Sequence, residues 1–125
     1  PLYGPTDDGA VFIHMGSAAG VPSGGSNTAI VLSSDQTGAV FGVRAASAGD
    51  VNGDGYGDLV VGAPHYAVGE ALEGAVFVYL GSAEGIESGP PSSAYRRLET
   101  NFASAQLGTS VASAGDLDGD GYSDI

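Results

Sequence analysis

The sequence predicts an all-β fold made of β-propeller blades, four-stranded antiparallel sheets, with about two blades' worth in this chain. Three observations lead there. The 125 residues include 22 Gly and 6 Pro, the punctuation of tight turns, with neither Trp nor Lys. Apolar residues come in short bursts such as Ala75 to Leu80, closed by Gly and Ser. The chain also repeats itself: FGVRAASAGDVNGDGYGDL from Phe41 returns 66 residues later as LGTSVASAGDLDGDGYSDI from Leu107. A second pair, GAVFIHMGSAAG from Gly9 and GAVFVYLGSAEG from Gly74, is offset by 65 residues, so two independent pairs give one period.

Each unit reads as four strands. Gly42 to Ala48 is a first strand of small residues. Helix is the rival reading of this Ala-rich run, but it is short, contains Ser and Val, and ends in Gly before a turn. Leu59 to Ala63 is a second strand, stopped by Pro64, which cannot continue a ladder. Ala75 to Leu80 is the third, and Ala94 to Leu98, after the loop SGPPSS, the fourth. Four strands per repeat make a propeller blade, and the innermost strands of neighbouring blades crowd round a central channel. Small side chains suit that crowding at Val43, Ala45, Ala46, Ser47 and Ala48, and again from Thr109 to Ala114. The expected organisation is an outer half blade over residues 1–40, with strands near Val11 to Met15 and Thr28 to Leu32. A complete blade follows over 41–106, and then an inner half blade over 107–125, with its strand at Leu107 to Ala114.

The strongest chemical signal is a pair of acidic loops. Asp50, Asn52, Asp54 and Asp58 recur as Asp116, Asp118, Asp120 and Asp124, with Gly55 or Gly121 at the sixth loop position. Oxygen donors at positions 1, 3, 5 and 9 of a tightly curled loop suit Ca²⁺, which takes about six to eight oxygens at roughly 2.3–2.6 Å. The backbone carbonyls of Tyr56 and Tyr122, at position 7, add one ligand each. In the alternative, these Asp and Asn side chains only bond their own backbone as Asx turns. Two copies in register favour the cation, because carboxylates packed this closely repel one another. The loop is not a complete EF-hand: Val61 stands where a bidentate Glu belongs, and an apolar strand rather than a helix follows Asp58.

With Phe41 and Gly42, the acidic loop, and VGAP at Val61 to Pro64, the unit resembles the FG-GAP repeat of integrin α chains over nearly the whole sequence. The resemblance implies a propeller in which each Ca²⁺ loop joins the first two strands of a blade, with Phe41 packed between blades. Leu107 departs from the expected Phe but keeps an apolar wedge. No RGD sequence is present, so integrin-type ligand binding does not transfer. Dockerin modules carry loops much like DVNGDG and are the runner-up, but theirs lead into helices and lie closer together.

The formal net charge of −12 makes nucleic acid and anionic membrane poor partners, since three Arg cannot neutralise a phosphate track. No apolar run approaches the ~20 residues of a membrane span. No nucleophile arrangement, phosphate-binding Gly loop or acid/base pair outside the acidic loops stands out, so no enzyme activity is expected. His14 reads as a half-exposed strand residue, His65 as a loop residue, and Arg96 and Arg97 as edge-protecting charges. The expected function is an extracellular interaction or adhesion module with structural Ca²⁺ and a protein or glycan ligand. The alternative is the non-catalytic propeller portion of a larger secreted enzyme. Two blades cannot enclose a channel, so closure is expected through further blades or self-association.

Overall fold

The computed structural model describes residues 8–25 and 29–125. The Thr28 start of the second outer strand and residues 1–7 of the first half blade lie outside them. The described residues are all-β, and none of their helices is long and apolar enough to cross a membrane. β1 (Ala10–Ile13) and β2 (Ile30–Ser33) form an antiparallel pair. β3 (Arg44–Gly49), β4 (Asp58–Ala63), β5 (Ala75–Tyr79) and β6 (Arg96–Leu98) form a four-stranded antiparallel sheet in sequence order. A short 3₁₀ turn, Pro91–Ser93, precedes β6.

The burial of each strand follows its composition. β5, AVFVY, is buried along its length, and β4 is buried at every position except Leu59, which is partly covered. That is the pattern of central strands covered on both faces. β6 is exposed throughout; Arg97 pairs with Glu99 at 3.4 Å, and the Arg96 guanidinium lies 4.1 Å from the Tyr95 ring centroid. Charge on the outermost strand guards an edge that could otherwise recruit another strand.

The main core lies between the two sheets. Leu32 of β2 packs with Phe41, Val61, Tyr66, Phe77 and Tyr79, and Val11 and Ile13 of β1 close over them. Phe41 is 2% exposed, its ring 5.7 Å from that of Phe77, and Tyr66 meets Phe77 edge-on at 5.1 Å. Phe41 thus fills the joint between sheets. Phe41→Ala should lower stability by about 3–5 kcal/mol, the usual range for emptying an aromatic core site, as measured by urea unfolding.

The joint occurs twice, as the repeat demands. The Phe41 amide donates to the Asp8 carbonyl at 3.1 Å, and the Leu107 amide donates to the Glu73 carbonyl at 2.9 Å. A Cβ at Gly9 would strike the Phe41 backbone, and one at Gly74 would strike that of Leu107. The short apolar strand of one unit therefore abuts the Phe-Gly or Leu-Gly start of the next. Glu73, at this joint, is fully buried; one carboxylate oxygen accepts from the Glu70 amide at 2.9 Å and the other has no hydrogen-bond partner.

The first strand expected in the second copy does not form. Residues 109–114 stay outside the sheets, and the segment pairs through the isolated bridges Gly74↔Leu107 and Gly115↔Asp124, with the Ala114 amide donating to the Asp124 carbonyl at 2.8 Å. In the complete sheet β3 draws its ladder from β4, beginning with Gly49↔Asp58. The bridge Gly115↔Asp124 is the counterpart of that first pair.

Candidate metal centre

The first acidic loop links β3 to β4 and is built round Asp50. One carboxylate oxygen of Asp50 accepts from the Gly53 and Asp54 amides at 2.8 and 3.1 Å, and the other accepts from Gly55 at 2.8 Å. Asp54 accepts from the Tyr56 amide at 2.9 Å and from the Asn52 side-chain amide at 3.2 Å. Gly55 has φ +88°, a left-handed conformation that a side chain strains. The backbone is thus curled by Asx-type bonds of its own acidic residues.

The second loop copies this bonding. Asp116 accepts from Gly119 and Asp120 at 2.8 and 3.1 Å through one oxygen and from Gly121 at 2.8 Å through the other. Asp120 accepts from the Tyr122 amide at 2.9 Å, and Asp118 accepts from the Asp120 amide at 3.2 Å. Ligand-capable oxygens of Asp116, Asp118 and Asp120 lie within 4.8 Å of one another, all three residues are exposed, and none is ion-paired.

Position 9, the fourth expected donor, also braces the loop. Asp58 is 4% exposed and clamps two segments: one oxygen accepts from the Val51 amide and the other from the Gly81 amide, each at 2.8 Å. Gly81 follows β5, so Asp58 ties the loop to the far end of the sheet. Asp124 repeats half of this, accepting from Leu117 at 2.8 Å. In the second loop the close oxygen group is formed by positions 1, 3 and 5, Asp116, Asp118 and Asp120.

The donor set fits a hard dication. It is all oxygen, and the Asn52 side-chain oxygen is buried without a hydrogen-bond partner. An amide oxygen with an unmet acceptor beside two carboxylates is what a cation would satisfy. The Tyr122 ring lies against Gly53 of the other loop, and Tyr56 borders a hollow lined by Ile13 and Met15. The remaining candidates stay peripheral: His65 is exposed, and His14 is half-buried beside β1 with Nδ1 unpartnered.

Donated backbone N–H bonds, Gly55 first, hold the Asp50 carboxyl below the ordinary aspartate value of 3.8, and Gly121 does the same for Asp116. For a depressed acid, the contribution to the fold is complete above the unfolded value and is lost as pH falls through the lower folded one. The Gly55 and Gly121 amide resonances should therefore titrate with midpoints below 3.8. Midpoints at or above that value would contradict the bonding described.

The FG-GAP repeat family model matches residues 41–79. Integrin alpha pat-2 of Caenorhabditis briggsae is 38% identical over 119 residues, 95% of this chain and 9% of its own length. Integrin alpha-4 of Xenopus laevis is 34% identical over 122 residues, 95% of this chain and 11% of its own length. Integrin alpha-3 of Mus musculus is 41% identical over 96 residues, 76% of this chain and 9% of its own length. The chain thus spans about a tenth of the length of these curated relatives. Strands β3 to β5, the joint built on Phe41 and Gly42, and the acidic loop between the first two strands all fall within the matched residues 41–79, and this part of the chain is an FG-GAP repeat similar to those of integrin α chains.

Proposed function

We propose that this chain is a non-catalytic, extracellular interaction module whose two acidic loops hold structural Ca²⁺. The observation that carries the proposal is the close oxygen group of Asp116, Asp118 and Asp120, together with the Asn52 oxygen left without a partner in the matching loop of Asp50, Asn52 and Asp54. In each loop the side chains at positions 1, 3, 5 and 9 are the ligands, Asp50, Asn52, Asp54 and Asp58 in the first and Asp116, Asp118, Asp120 and Asp124 in the second, with the Tyr56 and Tyr122 carbonyls beside them. Asp58 and Asp124 fix the loop and complete its negative charge. A bound Ca²⁺ would cancel carboxylate repulsion and so lock the loop.

Similarity to integrin α chains supports an adhesion-type setting outside cells. There about millimolar Ca²⁺ can fill sites with Kd of roughly 10⁻⁴ to 10⁻³ M. On this reading residues 1–40 are the outer half of one blade, 41–106 a complete blade and 107–125 the inner half of another. The first loop leads into β4, a strand, which removes the main ground for a dockerin-like module. Closure of the propeller comes from further blades or other copies, and the ligand is a protein or a glycan.

Calorimetric titration should find two Ca²⁺ per chain. Free Ca²⁺ at 100 times Kd should add about 2.7 kcal/mol per site if metal binds only the folded state. Heat-free titration, together with a melting temperature unchanged by chelator, would refute the proposal.

A further inference from the structure

The two loops touch. The Ser123 amide donates to the Asp50 carbonyl at 3.0 Å, and the Asp50 amide donates to the Ser123 hydroxyl at 3.2 Å. Both backbone polar groups of the first residue of one loop are thereby held by a single residue of the other. The approach is close: a Cβ on Gly49 would lie 2.4 Å from the Ser123 hydroxyl oxygen, and one on Gly53 would lie 2.7 Å from the Tyr122 ring. Ser123 sits between Tyr122 and Asp124, at the position that Gly57 occupies in the first loop.

We propose that Ser123 is a positioning residue that couples the two cation loops, so that filling one raises the affinity of the other; this rests on the Ca²⁺ reading of both. Asp50 is the hub of its loop, accepting three amides through its side chain while Ser123 holds its backbone. A cation in the second loop immobilises the turn from Asp116 to Asp124, and Ser123 with it. The first loop then meets its cation with Asp50 already fixed, and less ordering entropy is lost on binding. Linkage makes the effect reciprocal. Repulsion between two bound dications acts in the opposite sense, but each loop carries its own compensating carboxylates, and salt screens the remainder.

The test follows the Gly55 and Gly121 amide resonances of the whole chain during Ca²⁺ titration, each reporting its own loop. In the parent, disabling the second loop with Asp120→Ala should weaken Ca²⁺ binding at the first by about 5-fold or more, the lower end of usual couplings. In a Ser123→Ala background the same change should weaken it less than about 2-fold, because the Asp50 amide has lost its acceptor. The coupling should persist when salt is raised, since it runs through hydrogen bonds and packing. Equal affinity of the first loop with and without Asp120→Ala would overturn the coupling while leaving the Ca²⁺ reading intact. Absence of any Ca²⁺-dependent shift in the parent would overturn both. If Ser123→Ala broadens the whole spectrum through loss of fold, Ser123→Thr, which keeps the hydroxyl, should retain at least part of the coupling; a Thr variant as uncoupled as a chain lacking the hydroxyl would also overturn the role of Ser123.

Discussion

Asp58→Ala should destabilise the fold even with Ca²⁺ removed, whereas Asp54→Ala should leave the metal-free fold nearly intact. The two residues belong to the same loop but make different contacts. Asp58 is 4% exposed and accepts from Val51 and from Gly81, 23 residues away, both at 2.8 Å. Alanine there strands two backbone donors where water has little access. Each costs about 1–3 kcal/mol, and a combined loss of that order lowers the melting temperature by several degrees or more. Asp54 is exposed and bonds only the Tyr56 amide and the Asn52 side chain, both of which can turn to water. Its replacement should cost within about 1 kcal/mol in chelator yet sharply weaken Ca²⁺ binding, because it removes one of three central donors. Asp124→Ala gives the intermediate case, since Asp124 accepts from Leu117 at 2.8 Å and is only partly buried. Melting curves in chelator should therefore rank Asp58→Ala well below Asp124→Ala, with Asp54→Ala near the parent. Equal melting of all three would mean that Asp58 does not clamp the blade.

This division of labour was only partly legible in the sequence. The 66-residue recurrence and the DVNGDG and DLDGDG loops point to paired oxygen sites, and the structure gives those loops matching hydrogen bonds. Local pattern sufficed because an Asx-bonded loop is determined by residues two to five apart. The bond from Gly81 to Asp58 and those between Ser123 and Asp50 join positions 23 and 73 residues apart, and no periodicity reports such distances. The one sequence cue to the second was the replacement of Gly57 by Ser123 between repeats. Among the strands, β4 and β5 were clear from apolar runs bounded by Gly and Pro. The run from Thr109 to Ala114 has the composition of β3 but not its ladder, and composition alone does not make a strand without a partner for its amides. Burial of Glu73 was invisible for a similar reason: its position between a turn and β5 reads as exposed, yet the residue is fully buried at the joint where Leu107 bonds its carbonyl.

Gly62→Ala should open the second joint, with an effect far larger than one methyl group suggests. Gly62 lies in β4, between β3 and β5, and its Cβ would stand 1.9 Å from the Gly108 carbonyl oxygen and 2.8 Å from the carbonyl carbon. The clash is with backbone, so no rotamer change relieves it. β4 is pinned by ladders on both sides, and moving it would break both sheet pairings. The 107–125 segment has no ladder to the sheet: it is held by the Leu107 amide bond to Glu73, the Gly74↔Leu107 bridge, the packing of Leu107 and Val111 on Ala48, Val60 and Val76, and the contacts of Ser123 with Asp50. Relief therefore comes from displacing that segment rather than from melting the sheet. The expected cost is at least the upper part of the roughly 1–3 kcal/mol range for overpacking. It should appear first as lost hydrogen-exchange protection at Leu107 and Ser123 while the Val76 to Tyr79 amides stay protected. Displacing the segment also separates the loops, so Gly62→Ala should abolish the dependence of the first loop's Ca²⁺ affinity on Asp120 without touching a ligand. Gly16→Ala is the control, because nothing lies within 4 Å of its Cβ and its φ is not positive. That change should be neutral or stabilising by about 0.4–1 kcal/mol. If Gly62→Ala melts and exchanges like Gly16→Ala, the backbones of Gly62 and Gly108 do not meet and the joint is built differently.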